Sequence, residues 1–496
     1  KELHYLFGFL SYSLDETTYE ENIYKAEGFP SDRMNSIFFA RQYAEDTKPQ
    51  GAESTTRNIG VNAVFNYSYD DRLLFDATFR TNASSQFGAN QRWGNFWSLG
   101  AGWNMHNEKW LRSKEWFSRL KLRASVGSTG SQGNNAYQSL ATYNYSEKNY
   151  ENKLGAYLMG MENKDLKWQK KMDYNVGMDM SVKNNFNLVF DYYQSTTENL
   201  LVAFTLPPST GFTTVQENVG KVRNTGIELS MSYMVLSRPQ DRTFLTLSLR
   251  AAHNKNRVVK ISDSMKAYNE KMDEMAESDS KLVTKYYDGV SMNAIWAVRS
   301  LGIDPATGRE IYLTKDGVST YEYRAEDMVV CGDNLPKLRG SFGINLGYKG
   351  FGLNVMCMYE LGAKMYNETL VDRVENVNMS YAVDKRVLEG RWQKPGDKVR
   401  FRSLKQVWDP EKQAYKVDEK TYATSRFVQK KNELNISSIN FSYDFFRHAF
   451  VKKMGMERLS VAFYMNDVAK LSTIKTERGL SYPFARNYNF SLQMTF

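Results

Sequence analysis

Strict alternation of apolar and polar residues recurs along this chain and continues to its last residue. In "NYNFSLQMTF", Tyr488, Phe490, Leu492, Met494 and Phe496 alternate with Asn489, Ser491, Gln493 and Thr495. A period of two puts one residue type on each face of a strand, so every such tract needs an apolar surface on one side only. Similar tracts come in pairs. Ile59, Val61, Ala63, Phe65 and Tyr67 alternate up to Asp70 and Asp71, and the pattern resumes at Leu73, Phe75, Ala77 and Phe79. Tyr174–Val182 and Phe186–Tyr192 flank "KNN", and Phe342–Tyr348 and Phe351–Tyr359 flank "KG". Turn residues at the pauses predict hairpins. Long polar segments separate the pairs, at roughly 128–171, 195–223, 253–339, 361–433 and 467–485. About fourteen strands are predicted, the first within "HYLFGFLSYS" (4–13), with short turns at one end and long loops at the other. That layout is expected of an all-β fold, a transmembrane antiparallel β-barrel.

Composition bears on whether the apolar faces meet lipid or a protein core. With Tyr 32, Phe 28 and Trp 9 but only Pro 10 in 496 residues, the chain favours strands over helices. Its mean hydropathy of -0.57 resembles that of a water-soluble protein, yet a barrel buries only alternate residues in lipid. No apolar run approaches the ~20 residues of a spanning helix. The charges sort by face: Lys121, Arg123, Asp191 and Arg250 all stand between apolar neighbours, on the polar side of their tracts. The polar face of Gly, Asn, Ser, Asp and Arg suits a water-filled lumen. Tyr67, Tyr69, Trp97 and Trp103 near tract ends are placed like interfacial aromatic girdles.

Several function classes find no footing. The net charge of +9 is modest and carries no nucleic-acid-binding motif. No nucleophile elbow, HExxH or phosphate-binding loop occurs, so no enzyme activity and no cofactor is expected. His4, His106, His253 and His448 are scattered singly. Cys331 and Cys357 offer neither metal-ligand spacing nor a disulfide framework, and no metal site is expected. The chain starts at Lys1 without a signal peptide, as a processed protein or a fragment would.

Residues 70–108, "DDRLLFDATFRTNASSQFGANQRWGNFWSLGAGWNMHNE", closely resemble the SusC/RagA branch of TonB-dependent outer-membrane transporters. The resemblance continues through "LKLRASVGSTGSQ", "ENVGKVRNTGIELS", "GIDPATGREIY", "GDNLPKLRGSFGINLGYKGF", "GRWQKPGD" and the terminal strand. It implies a 22-stranded barrel in the outer membrane of a Gram-negative bacterium, with an internal plug domain. It also implies an N-terminal TonB-contacting segment and a SusD-like surface lipoprotein as lid. Residues 1–496 are expected to be the C-terminal ~14 strands of such a barrel, without plug or TonB box. The remaining strands would come from another chain or an omitted region. The implied function is energy-coupled import of a large nutrient, an oligosaccharide or a peptide. The alternatives are a passive porin-like or adhesive barrel and a soluble β-rich carbohydrate-binding protein.

Within that frame the candidate substrate contacts are loop residues, because sugar rings stack on aromatic faces and hydroxyls need polar partners. Tyr286, Tyr287 and Asp288 stand together in the longest loop, as do Tyr321 and Tyr323. The competing reading is that these residues pack their own loop. By the resemblance, loops 128–171 and 195–223 are candidates for lid contact. Segment 263–281 is expected to be a solvated loop helix, and Asp304 in "GIDPATGRE" a turn residue rather than a cation ligand. Cys357 is expected to face lipid, and Cys331 to lie in a loop. Phe490, Leu492, Met494 and Phe496 resemble the C-terminal signal read by the outer-membrane assembly machinery.

Overall fold

The computed structural model describes residues 3–45, 47, 49–112, 116–131, 136–145, 151, 153, 155–205, 214–279, 282–377, 383–404, 406–409, 414–417, 421–445, 448–475 and 485–496. Fourteen strands make one sheet. They are β1 (His4–Ile23), β2 (Gln50–Tyr69), β3 (Leu73–Ser84), β4 (Trp93–Asn104), β5 (Phe117–Ser131), β6 (Gln169–Val182) and β7 (Phe186–Thr205). The rest are β8 (Thr214–Arg238), β9 (Thr243–Lys260), β10 (Leu338–Tyr348), β11 (Phe351–Tyr366), β12 (Val428–Asp444), β13 (Arg458–Ser472) and β14 (Tyr488–Thr495). Each pairs antiparallel with its neighbours in chain order, so the sheet is an up-and-down meander.

The register fixes the two faces. Leu188, Met231, Leu249 and Phe342 align on one face, and Val189, Ser230, Arg250 and Ser341 on the other. The first face is apolar from strand to strand, and Phe65, Tyr192, Leu247, Leu249 and Phe490 on it are exposed. Such a continuous apolar surface is suited to hydrocarbon. Tyr69 and Trp103 flank Leu73 at the short-turn end, where Trp110 and Trp116 are exposed too. Trp97 stands opposite Phe79, higher up the sheet.

Short turns carry their strain on suitable residues. Asp70, Asp71, Lys183, Asn184 and Lys349 all have positive φ, as tight hairpins of right-handed twist require. Gly340 answers a different demand. A Cβ there would collide with the Arg250 carbonyl oxygen, to which the Tyr359 hydroxyl donates at 2.9 Å across the glycine. Gly340→Val is therefore expected to cost ~1–3 kcal/mol by overpacking, read as a lower midpoint in a urea refolding titration.

One segment expected to be a polar loop is strand. Within 195–223, β7 continues to Thr205 and β8 begins at Thr214. Lengths of 20 and 25 residues exceed the ~9–11 that cross a bilayer, so this hairpin projects beyond the apolar band. There it can be polar on both faces without losing its ladder.

The two longest connections, 261–337 and 367–427, fold together into a module with its own core. The core joins Met272, Ala276, Trp296, Val298, Tyr312 and Met328 from the first connection to Leu370, Val374, Phe401, Ala423 and Phe427 from the second. The first connection holds helix α1 (Asp263–Asp279) and a four-stranded sheet of Ala294–Ile303, Glu310–Leu313, Ser319–Thr320 and Met328–Asp333. The helix expected at 263–281 is present but not solvated all round: Met265, Asn269, Met272 and Ala276 form one buried face. The connections are stitched where Val298 N donates to Ala423 O (3.1 Å) and Ser300 N to Ser425 Oγ (3.0 Å).

Candidate functional site

The polar face of the sheet carries a row of ionisable side chains in register. Arg123 stands opposite Gly177, and Gly177 opposite Asp191. The row continues through Glu228, Ala252, Arg339, Glu360 and Glu433. Gly177 leaves space that the Arg123 guanidinium crosses, reaching Asp179 at 2.9 Å and Asp191 at 3.1 Å. At the far end Lys431 meets Glu360 at 2.8 Å, and Lys470 meets Glu433 at 2.8 Å. These pairs are half-exposed and add little stability each. Their effect is to hold charges of both signs in fixed places along the wall.

Between the paired ends lies a cavity of about 510 Å³, lined by Asp191, Glu228, Arg250, Arg339, Ser341 and Glu360 among others. Arg250, Arg339 and Glu228 make no ion pair among the described residues, so both signs of charge remain available to a visitor. Small neighbours, Ser230, Ala252 and Ser341, keep the wall open around them. The cavity sits on β9 and β10, the strands from which residues 261–337 of the loop module spring.

The module itself is held by a buried ionic cluster. Arg426 Nη2 bridges Glu310 Oε2 (2.8 Å) and Glu375 Oε1 (2.7 Å), while Thr424 Oγ1 donates to Glu310 Oε1 at 2.8 Å. Burial works against the Arg426 charge, but Glu310 and then Glu375 outweigh it and hold its pKa above the ordinary value. Arg391, also buried, donates to the carbonyls of Val387 (2.8 Å), Arg402 (2.9 Å) and Val374.

All five loop residues singled out by sequence lie on this module, in two groups. Tyr286 is half-buried against Met265 and Tyr268, and its backbone exchanges hydrogen bonds with the Asn269 side chain. The exposed Tyr287 ring lies 5.0 Å from that of Trp296, with the buried Lys285 ammonium over both rings and paired to Asp273. Asp288 Oδ1 accepts from Ile261 N at 2.8 Å. Tyr323 stacks on Tyr422 with centroids 4.0 Å apart, and burial pushes its hydroxyl pKa well up. Tyr321 is exposed and donates to Asp304 Oδ2 at 2.8 Å.

Asp304 closes a turn. It accepts from Thr307 Oγ1 (2.7 Å), Ala306 N (2.9 Å) and Tyr321, and these bonds hold its carboxyl below the ordinary 3.8. A depressed folded pKa means that the stabilisation is complete above 3.8 and fades as pH falls through the lower folded value. The Tyr321 ring resonances are thus expected to shift only below 3.8, and Asp304→Asn to abolish that step in an NMR titration. Among the described residues no group of three His, Cys, Asp or Glu side chains is placed to hold a metal.

Phe490, Leu492, Met494 and Phe496 are exposed at the end of the sheet; Phe490, Leu492 and Met494 stand opposite Phe463, Val461 and Leu459 of β13. Cys357 lies on the apolar face opposite Phe342 and Ile436, yet is buried between them rather than exposed. Cys331 donates to Ala297 O at 3.4 Å within the module, and both thiols are free. The sequence had singled out Asp191, but neither the cluster at Arg426 nor the other acids of the lumenal row, Glu228, Glu360 and Glu433. Counting nine residues outward from Tyr348 and Phe351, which flank the turn at 349–350, aligns Arg339 with Glu360, but Glu228 lies ten residues before Arg238 at its own turn because the β8–β9 register shifts between Met234 and Leu236.

Fourteen meandering strands, apolar outside and ionic inside, with long loops gathered at one end, define a wall of an outer-membrane barrel. The chain belongs to the TonB dependent receptor-like β-barrel family, whose pattern matches residues 3–372. That family is one of outer-membrane receptors and transporters rather than an enzyme class. TonB-dependent receptor P39 of Formosa agariphila is 24% identical over 518 positions, covering 94% of this chain and 47% of the relative. TonB-dependent receptor SusC of Bacteroides thetaiotaomicron is 28% identical over 301 positions, covering 57% of this chain and 29% of the relative. Among solved structures, that of the RagAB peptide importer in its closed-closed state superposes with a TM-score of 0.80 at 21% identity. It covers 100% of this chain and 54% of that one, and shows the same fold. The chain thus spans about half the length of the Formosa agariphila TonB-dependent receptors P39 and P3.

Proposed function

We propose that this chain is the C-terminal part of the barrel of a TonB-driven importer, taking up a large polar nutrient with a SusD-like surface lipoprotein as lid. The observation that carries the reading is the cavity on the polar wall, where Arg250, Arg339 and Glu228 make no ion pair among the described residues. A site that offers both signs of charge and small hydroxyls suits a solute rich in hydrogen-bonding groups, an oligosaccharide or a peptide. The solved neighbours named as peptide importers support the peptide class, and the exposed rings of Tyr287 and Tyr321 offer faces for either. Both edges of the sheet, β1 and β14, have one neighbour each among the described residues. Unpaired backbone groups facing hydrocarbon are costly, so in this reading further strands complete a wall of about 22 with a plug inside.

Uptake decides the matter. Cells producing the complete protein are given a panel of labelled peptides and oligosaccharides, with and without TonB and the neighbouring lipoprotein. Accumulation of one class that stops when TonB is lost is the expected result. Uptake indifferent to TonB would make the barrel a passive pore, and uptake indifferent to the lipoprotein would remove the lid from the scheme.

A further inference from the structure

On the outward face of β8 and β9, Arg223 and Arg257 occupy directly opposite register positions. Opposite residues hold their Cβ atoms about 5 Å apart, and like charges so placed destabilise a sheet. Lys255, one outward row lower, adds a third positive charge. All three side chains are exposed, and none makes an ion pair among the described residues. Their orientation is secure, because Asn224, Asn254 and Asn256 alternate with them on the polar face, where Asn254 and Asn256 both donate to Asn224 Oδ1.

Two other cations of the outward rim are neutralised in place. Arg57 meets Glu16 at 2.7 Å, and Lys221 meets Glu198 at 2.5 Å. Lys364 and Lys430 also stand directly opposite each other, and there Lys364 donates to the Cys331 carbonyl at 2.7 Å. The height of the three cations on β8 and β9 is specific. Outward rows on β9 run Leu245, Leu247, Leu249, Ala251 and His253, opposite Leu236, Tyr233, Met231, Leu229 and Ile227. Rows two residues apart climb ~5 Å each on strands tilted by about 40°. Five rows thus span roughly the ~25 Å apolar band of an outer-membrane barrel. Lys255 and then Arg257 with Arg223 follow directly above it, at the level of lipid headgroups on the long-loop side.

We infer that Arg223, Lys255 and Arg257 form a binding site for the phosphate of an anionic glycolipid in the outer leaflet. Two guanidinium forks converging from adjacent strands match a phosphate, and its charge removes the repulsion that the register imposes. The apolar rows below receive the acyl chains, which a free phosphate ion would not use. The inference goes beyond transport but rests on the membrane reading, which cell fractionation tests independently. Loss of lipid binding would leave the uptake results standing.

The test uses the complete protein extracted from the outer membrane in mild detergent, with retained glycolipid measured by mass spectrometry. Native protein is expected to retain phosphorylated glycolipid, and the Arg223→Ser, Arg257→Ser double variant about tenfold less. Arg257→Glu puts an acid opposite Arg223. It is expected to melt above the native protein once both are stripped of lipid, yet to bind none. Added back, phosphorylated glycolipid should raise the native Tm while its dephosphorylated form does not. Equal retention by native and double-serine proteins would overturn the assignment. Equal Tm shifts with the dephosphorylated lipid would do the same. Protection by inorganic phosphate at the same concentration would replace a lipid site with a free-phosphate site and overturn it too.

Discussion

Arg426→Ala is expected to open the loop module while leaving the barrel folded. The substitution strands the Glu310 and Glu375 carboxylates, whose side chains are 4% and 0% exposed, without their shared cation. Removing one partner of a buried ion pair costs ~3–5 kcal/mol, and here Glu310 would keep only the Thr424 hydroxyl, Glu375 only the more distant Arg402 at 3.7 Å. The cluster ties residues 310, 375 and 426 together from two connections, so its loss should free both. Limited proteolysis is the measurement: cleavage within 261–337 and 367–427 should appear under conditions where the native protein is intact. Heat-modifiable mobility of the barrel should be retained. Arg426→Lys should rescue little, because Arg426 Nη1 also donates to Arg400 O at 2.8 Å and an ammonium cannot make the same fork. Removing the orphaned acids as well, with Glu310→Gln and Glu375→Gln, should restore part of the resistance. Unchanged cleavage of Arg426→Ala would show that the hydrophobic core alone holds the module.

A second large effect is expected from neighbouring positions of β9. Leu249 lies on the middle outward row, opposite Met231 and Phe342, whereas Ser248 lies on the polar face opposite Gly343. Arginine at Leu249 meets hydrocarbon near the bilayer midplane and should cost ~2–4 kcal/mol. Arginine at Ser248 extends into water above a glycine and should cost less than ~1 kcal/mol. Folding titrations of the complete protein into lipid vesicles check both. Equal effects would mean that the apolar face is not in lipid.

The hairpins were legible in the sequence because a membrane strand must alternate and its tight turns need residues that accept positive φ. Asp70, Asp71, Lys183, Asn184 and Lys349 therefore mark their own turns. The upper parts of β7 and β8 were not legible, since "STTENLLVAFT" and "TVQENVGKVR" lie beyond the apolar rows and are released from alternation. The module was hidden for another reason. Val298 meets Ala423 and Met272 shares a core with Phe427, contacts between residues more than a hundred positions apart. Local periodicity reports which face of an element is buried but not what covers it. Helix α1 shows the limit: Met265, Met272 and Ala276 could be read as one stripe, while their partners could not. The lumenal acids fall between these cases. Asp191 was visible as a charge within an apolar tract, but its alignment with Glu228, Arg339 and Glu360 exists only once every strand is in register.

The stitching of the two long connections also constrains the order of assembly. Hairpin β10–β11 lies between them in the chain, so Val298 can find Ala423 only after that hairpin and the start of β12 have been made. Contacts of such sequence separation carry a large loop-closure cost until the intervening strands draw their ends together. The barrel wall is thus expected to form first and the module to condense on it. A refolding time course should show strand pairing first and protection of Trp296 afterwards. The loop surface would then be finished last, on the far side of a membrane already sealed.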